Sequence, residues 1–510
     1  MDSSLFSLAN RFRIALQARL RSPNPLLLHR SNPYSTRRVA RQNLQSMLWP
    51  LGHPTVSLVP EIERWVEKGN SIRTVELQNI VRELRKRRRY KQALEVSEWM
   101  KNERNVPFMP SDHAVQLDLI GQVHGLEFAE SYFSNLNEKD KTEKTYGALL
   151  NCYVRDRQVD KSLSHMKKMK EMGFAFSPLP YNDIMCLYTN TGQHEKVPAV
   201  LSEMKDNGIF PDNFSYRICI NSYGSRSDIF GMEKVLEVME CQPQIVVDWN
   251  TYAVVANIYI KAGIIDKAIS ALKKAEEKLV KRDGPAYNHL ISLYGHLGNK
   301  SDMKRLWELQ RVNCKKFVNR DYTTMLGALV KLGELEEAEV LLKEWESSGN
   351  AFDFRVPNVL LIGYRQNGLL EKAEAMLDDF LKKGKTPPAS SWGIVATGYA
   401  EKGEIKKAYE FMKNALCVFV PNSGWKPNVA IVESILQYIG DKVDLKDIET
   451  FIGLLKVAMP MDKYMYHTLI KAHIRVGREV DDVLKGMQAD GIPQTKEIAE
   501  LLSSSSDLTP

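Results

Sequence analysis

Histidine and cysteine are the side chains best equipped for chemistry near neutral pH, and in this 510-residue chain their spacing gives them no shared site. The six cysteines, at 152, 186, 219, 241, 314 and 417, include no C-x-x-C pair and no metal-ligand spacing. His113, His124, His165, His194, His289, His296, His467 and His473 are dispersed along the chain. There is no H-x-E with P-C-x-x-C signature and no Gly-rich phosphate loop. The expectation is a protein that is not an enzyme and has no metal, no other cofactor and no small-molecule substrate. Cys152, Cys186 and Cys219 fall in apolar runs and read as buried small hydrophobes in a reducing compartment. The chemistry that remains is aromatic and basic. Tyrosines return at a fixed interval and would either stack on flat ligands or pack between helices. The run "RELRKRRRYK" at 82–91 would either grip phosphates or form a solvated helix face.

The interval identifies the elements that place these residues. Tyr146, Tyr181, Tyr216, Tyr252, Tyr287 and Tyr322 are separated by 35, 35, 36, 35 and 35 residues. Eleven residues beyond the aromatic stands a glycine, at Gly192, Gly263, Gly298 and Gly333, continuing through Gly368 and Gly403. Carried back from those last two, the frame lands on Pro357 and Trp392. Five residues past the glycine comes a small or apolar column: Val197, Ala268, Met303, Ala338, Ala373 and Ala408. Between the columns the apolar residues follow helical spacing, as in "DKAISALKKAEEKL" at 266–279. Each unit therefore reads as two helices joined at the glycine, whose left-handed conformation ends the first helix cheaply. A hairpin of this kind cannot cover its own apolar face, so neighbours must stack and share a core. The expected fold is all-α, a right-handed α-solenoid of about eleven tandem helix-turn-helix repeats between residues 74 and 495. First helices line its concave side, and the tyrosine is a packing residue where units touch.

Charge says where the chain goes more than what it binds. Residues 1–43 hold eight arginines and one acid, which accounts for the net charge of +7 and leaves 62 basic against 62 acidic residues. The neutral body gives no reason to infer nucleic-acid binding from charge. The leader interleaves Arg11, Arg13, Arg19, Arg21 and Arg30 with apolar residues and carries no acid between Asp2 and Glu61. This is the pattern of an organelle import peptide, mitochondrial with chloroplast as the alternative, cleaved near Ser35; a basic tail without an address is the plain alternative. No apolar stretch approaches the roughly 20 residues of a membrane span, so no membrane partner is expected.

Period separates two kinds of helical hairpin. A tetratricopeptide array repeats every ~34 residues, whereas five steps here take 176 residues, from Tyr146 to Tyr322. The phrases "PYNDIMCLYTNTGQHEKVPAVLSEMKDNGIFPDNFSYR" and "AYNHLISLYGHLGNKSDMKRLWELQ" resemble the pentatricopeptide repeat family: an aromatic followed by Asn, an apolar run, a Gly, a small-residue helix and a "G-x-x-P-D" close. The uniform repeat length resembles the family's pure-repeat, plant organelle class, and "KRRRYKQALEVSEWM" resembles a short-array mitochondrial subgroup.

The resemblance implies single-stranded RNA as the partner, one base per repeat. In the family, the residue after the first-helix aromatic and the residue four before the next aromatic together meet a base edge. Asn182 with Asp212 matches a pairing that favours U, and Thr323 with Asp353 one that favours G. Arg217 with Asp248 reads as an internal ion pair. Asn288 with Val318 and Ala253 with Asp283 each lack one polar partner, and Gly147/Ser177, Asn358/Pro388 and Gly393/Asn428 are poor readers. The family's base-wedging apolar residue, two before the aromatic, is kept at Leu179 and Phe214; Arg320 and Arg355 stand there in other repeats, where they would either stack on bases or bind phosphate, or remain solvated charges on a surface helix.

The organisation expected is an import peptide over 1–40, disordered; a linker with a short helix over 41–73; degenerate repeats over 74–142; regular repeats of ~35 residues over 143–428; degenerate repeats over 429–495; and a disordered tail over 496–510. The segment "CVFVPNSGWKPN" at 417–428 lengthens one repeat. By resemblance the protein is an organelle RNA-binding adaptor acting in RNA stability, processing or translation. The alternatives are a scaffold subunit of a mitochondrial ribonucleoprotein such as the mitoribosome, touching ribosomal or other ribonucleoprotein proteins, and a tetratricopeptide-like protein adaptor.

Overall fold

The computed structural model describes residues 44–48, 56–103, 107–243, 245–314, 316–421, 424–494 and 496–506. The import-peptide expectation, with its cleavage near Ser35, lies outside these residues. The described elements are helical, with no strand among them. In chain order they are α1 (Leu44–Leu48), α2 (Val59–Glu67), α3 (Thr74–Lys86), α4 (Tyr90–Asn102), α5 (Pro110–Val123), α6 (Leu126–Ser134), α7 (Glu143–Arg155), α8 (Val159–Glu171), α9 (Pro178–Asn190), α10 (Val197–Asp206), α11 (Asn213–Ser225), α12 (Ile229–Glu240), α13 (Trp249–Lys261) and α14 (Ile265–Glu277). There follow α15 (Gly284–His296), α16 (Lys300–Asn313), α17 (Asn319–Lys331), α18 (Leu335–Ser347), α19 (Arg355–Gln366), α20 (Leu370–Lys382), α21 (Ala389–Glu401), α22 (Ile405–Cys417), α23 (Val429–Lys442), α24 (Leu445–Ala458), α25 (Lys463–Val476), α26 (Asp481–Ala489) and α27 (Lys496–Ser506). From α3 to α26 they pair into twelve hairpins, one more than the repeat count expected from the sequence. The described chain falls into two compact units, one ending at Leu279 and one beginning at Val280. Each is a stack of hairpins in which a first helix packs on its own second helix and on the first helix of the next hairpin.

Outside α5–α6 and α23–α24, the turns inside the hairpins share one geometry. Gly192, Gly263, Gly298, Gly333, Gly368, Gly403 and Gly477 all have positive φ. The next residue's N–H closes back five residues, as in Gln193 to the Tyr188 carbonyl at 2.8 Å and Glu404 to the Tyr399 carbonyl at 2.9 Å. This is the Schellman closure that satisfies the last carbonyls of the first helix. Where the glycine is missing the geometry persists: Arg157 and Ser227, in the same register, are held at φ 56° and 57°. A side chain in that region costs roughly 1 kcal/mol, which the surrounding packing absorbs.

The small column is buried because it stands where the two helices of a hairpin come closest: Val197, Ala268, Met303, Ala338, Ala373 and Ala408 are all inaccessible. The tyrosine column is buried as well, from Tyr146 to Tyr322. Two of its hydroxyls accept locally, Tyr181 from Asn207 Nδ2 at 3.1 Å and Tyr287 from Asn313 Nδ2 at 2.9 Å, whereas the buried Tyr216 hydroxyl has no partner. These rings are therefore core, as the interval implied, and offer no stacking ladder.

The second helices carry the charge. The Tyr259, Tyr364 and Tyr399 hydroxyls donate to Glu233, Glu339 and Glu374 of the preceding hairpin at 2.7, 2.8 and 2.7 Å. Lys267, Lys372 and Lys407, from the following second helix, meet the same carboxylates at 2.6, 2.9 and 3.2 Å. Each such exposed pair is screened by solvent and adds little stability by itself. Their repetition explains why the body is rich in charge yet neutral.

Both ends depart from expectation. The segment before residue 74 is not a simple linker: Leu44, Leu48, Leu58 and Ile62 are buried in one cluster with Leu77, Ile80 and Leu84 of α3. The expected disordered tail is helical over Lys496–Ser506. Ile498 and Leu502, spaced four apart on one face, join a cluster with Tyr466, Ile470 and Met487. That apolar spacing outweighs the serine-rich composition from which disorder was expected.

Candidate nucleic-acid interface

Between α15 and α17 the first helices open into a groove of about 500 Å³. Its walls define which register positions face inward: from α15, Pro285, Asn288, His289, Ser292 and His296; from α17, Arg320, Thr323, Thr324, Gly327 and Lys331. Two permanent cations and two imidazoles line it, and no acid does. Burial pushes the His289 imidazole below its ordinary pKa, which favours the neutral ring. A concave cationic recess lined by short polar side chains suits a polyanion with hydrogen-bonding faces.

Five of the second members have a structural task. Asp212, Asp248, Asp283 and Asn428 are the N-caps of α11, α13, α15 and α23, their side-chain oxygens accepting from backbone N–H groups at 2.7, 2.8, 3.2 and 3.0 Å. Capping alone accounts for a short polar residue there. The Asp353 carboxylate takes Arg355 Nε at 2.9 Å and Nη2 at 2.6 Å, and this hydrogen-bonded pairing holds its pKa below the usual range. Arg355 is thereby committed to a partner at its own helix start, while Arg320 is exposed in the groove wall.

The first members are tied to the next hairpin. Asn182, only 2 % exposed, donates from Nδ2 to Asp212 Oδ1 at 3.3 Å and accepts from Ser215 Oγ at 2.7 Å. Asn358 likewise accepts from Ser391 Oγ at 2.6 Å, but its Nδ2 donates to Ser390 Oγ at 3.4 Å in place of a carboxylate. Asn288, 6 % exposed, donates from Nδ2 to Asp321 Oδ1 at 2.6 Å, and Gln310 Nε2 reaches the same oxygen at 3.3 Å. Its sequence partner Val318 is apolar, but Asp321 supplies a carboxylate from three residues further on and also accepts from the Val318 N–H at 2.7 Å. Sequence reasoning missed Asp321; the available signal was an acid where the other hairpins carry Ser215, Thr251 or Ser391. Thr323 Oγ1 donates to the Asn319 carbonyl at 2.8 Å, leaving its lone pairs toward the groove.

The remaining predicted residues divide. Arg217 and Asp248 form the expected internal ion pair at 3.2 Å, with the guanidinium 5.5 Å from the Phe214 ring centroid. Leu179 and Phe214 are 62 % and 43 % exposed. The basic run at 82–91 is partly spent on structure: Arg85 meets Asp118 at 2.7 Å, and Asp118 also holds Arg155 at 2.9 Å. Among the described residues there is no group of three or more potential metal ligands and no helix long and apolar enough to cross a membrane.

Tandem helical hairpins with a shared seam and an inward-facing groove define a helical-repeat binding protein. Residues 180–225 match the PPR repeat family model, and 144–174, 321–350 and 356–384 match the PPR repeat. The mitochondrial pentatricopeptide repeat-containing protein At4g21705 of Arabidopsis thaliana is 50 % identical over 483 residues, spanning 94 % of this chain and 98 % of that relative. A second mitochondrial relative from the same plant, At2g20710, is 36 % identical over 437 residues, spanning 85 % of this chain and 86 % of its own length. Among solved structures, PPR10 in complex with an 18-nt psaJ RNA element aligns over 99 % of this chain and 90 % of that one, at 17 % identity and a TM-score of 0.35. The chain belongs to the pentatricopeptide repeat family, and its compartment is the mitochondrion.

Proposed function

We propose that the protein binds single-stranded RNA along the grooves between its first helices and acts as an adaptor in mitochondrial RNA stability, processing or translation. The observation that carries this reading is the acid-free groove between α15 and α17, where Arg320 and Lys331 flank Asn288 and Thr323. The cations would neutralise phosphates, and the short polar groups would meet base edges. Family membership supports the same ligand class.

The test is fluorescence anisotropy with a labelled 16-nucleotide RNA chosen by the full-length protein from a random pool. Replacing Arg320 and Lys331 with alanine weakens binding and flattens the salt dependence by about 0.7 log units per lost contact. Asn182→Ala and Thr323→Ala relax discrimination at the U and G registers. A wild-type protein that enriches no sequence and shows no salt dependence would sink the proposal.

A second reading, a scaffold within a mitochondrial ribonucleoprotein, has one observation in its favour. Asn182, Asp353 and Arg217 are committed to internal partners, which leaves few side chains free to read bases. Co-sedimentation with ribosomal particles, together with weak and indiscriminate binding of the isolated protein, would favour it.

A further inference from the structure

The segment that lengthens one repeat at 417–428 carries Trp425, and its indole stands where a base-facing side chain stands elsewhere. Gly393 occupies the register of Asn288 and Thr323, the residue after the buried aromatic. A Cβ built on Gly393 would lie 2.8 Å from Trp425 Nε1, 2.9 Å from Cζ2 and 3.0 Å from Cε2. No side chain larger than hydrogen fits while the indole is there. The turn that delivers it is sharp, with Gly424 at φ 82°, and Phe419 supports the indole at a centroid distance of 5.9 Å. The first helices α21 and α23, which flank this point, approach each other less closely than α15 and α17, α17 and α19, or α23 and α25 do. Trp425 stands against Gly393 at this wider junction, itself only half-buried, and Lys426 beside it is exposed.

We propose that Trp425 replaces the missing reader of this repeat as a stacking platform for one RNA base, accepted without regard to identity, with Lys426 beside the adjoining phosphate. The inference rests on the RNA-binding reading above and adds a contact that the pairing scheme cannot register, since it scores Gly393 with Asn428 as inert. The physical ground is that every base offers a π face of similar stacking strength, whereas edge recognition needs a donor or acceptor that Gly393 lacks. The glycine is then a consequence of the indole and not an erosion of the site.

The experiment uses the full-length protein and the labelled RNA selected above, with an abasic nucleotide walked through the sequence. In the wild type one register tolerates all four bases equally yet loses about tenfold in affinity when abasic. Trp425→Leu, which keeps apolar bulk beside Gly393, weakens the intact RNA to the same degree and removes the abasic penalty at that register alone. Trp425→Phe keeps the penalty and stays within about threefold of the wild type. Equal or tighter binding by Trp425→Leu would mean that the indole closes the groove, and the proposal fails. It fails equally if Trp425→Leu weakens binding while the abasic penalty stays, because the residue is then structural. A wild type that selects no RNA overturns the general reading and this inference together, whereas an intact selection without a tolerant register overturns this inference only.

Discussion

The grooves built around Asn182 and Asn288 begin from the same local sequence, a buried tyrosine followed by asparagine, and arrive at different electrostatics. At Asn182 the carboxylate that holds the amide is Asp212, exposed at the start of α11, and a serine hydroxyl completes the set. At Asn288 the carboxylate is Asp321, only 5 % exposed, and the rim position is taken by Val318. The acid has moved three residues along the chain and inward. An ionised carboxylate accepts hydrogen bonds only, so in each case the asparagine must turn its NH2 toward it. Removing the acid from the rim is what leaves Arg320 and Lys331 unopposed among the groove residues. The same motif therefore leaves an exposed acid beside Asn182 and an acid-free, cationic groove beside Asn288.

The next register position sharpens the contrast. Asp183 follows Asn182, and burial alone raises its pKa to about 7. His289 follows Asn288, and burial lowers its pKa. Both grooves disfavour the charged form, from opposite sides.

The largest effect expected is from Asp321→Ala, which strips partners from Asn288, Gln310 and the Val318 N–H at once and should cost about 4 kcal/mol in urea unfolding. Asp321→Ser, copying the other groove, should cost about a third of that; equal losses would break the comparison.

Next comes pH. The unfolded Asp183 ionises near its ordinary value while the folded one stays protonated to about 7, so stability attributable to it falls as pH rises through that window. Asp183→Asn should therefore gain about 2 kcal/mol at pH 8 and little at pH 4, by thermal melting. His289 has the opposite sign: below its ordinary pKa the unfolded state takes the proton first, so stability falls with acidity and His289→Gln should flatten that limb.

Ser215→Ala removes one hydroxyl from Asn182 and from the Asp212 N–H, a loss of about 1 kcal/mol. Smallest are gains of roughly 0.5–1 kcal/mol from Ser227→Gly and Arg157→Gly, which relieve the left-handed positions that Gly298 and Gly333 already fill in the other groove's hairpins. Melting temperatures that fail to rise would show those turns unstrained.

Much of this was legible in advance. The tyrosine, glycine and small-residue columns report contacts within one hairpin or between identical neighbours, so a fixed interval reveals them. The Arg217–Asp248 pair was legible too, because both residues sit on the repeat register. The helix at Lys496–Ser506 was hidden by its serines, although Ile498 and Leu502 carry the apolar spacing. The burial of α1 and α2 was hidden because they lie outside the repeat.

By itself, the sequence settled the period, the hairpin and the burial of its aromatic, since these follow from helical spacing and from left-handed turns that a few residues specify locally. Which way each asparagine amide points, where the rim acid lies and what fills the space at Gly393 were decided only in three dimensions. Those outcomes depend on a side chain about 33 residues away, in the adjacent hairpin for Ser215 and Asp321 and in the connection that leads to it for Trp425. Hydrogen-bond polarity and volume are settled between partners, and no single helix contains both.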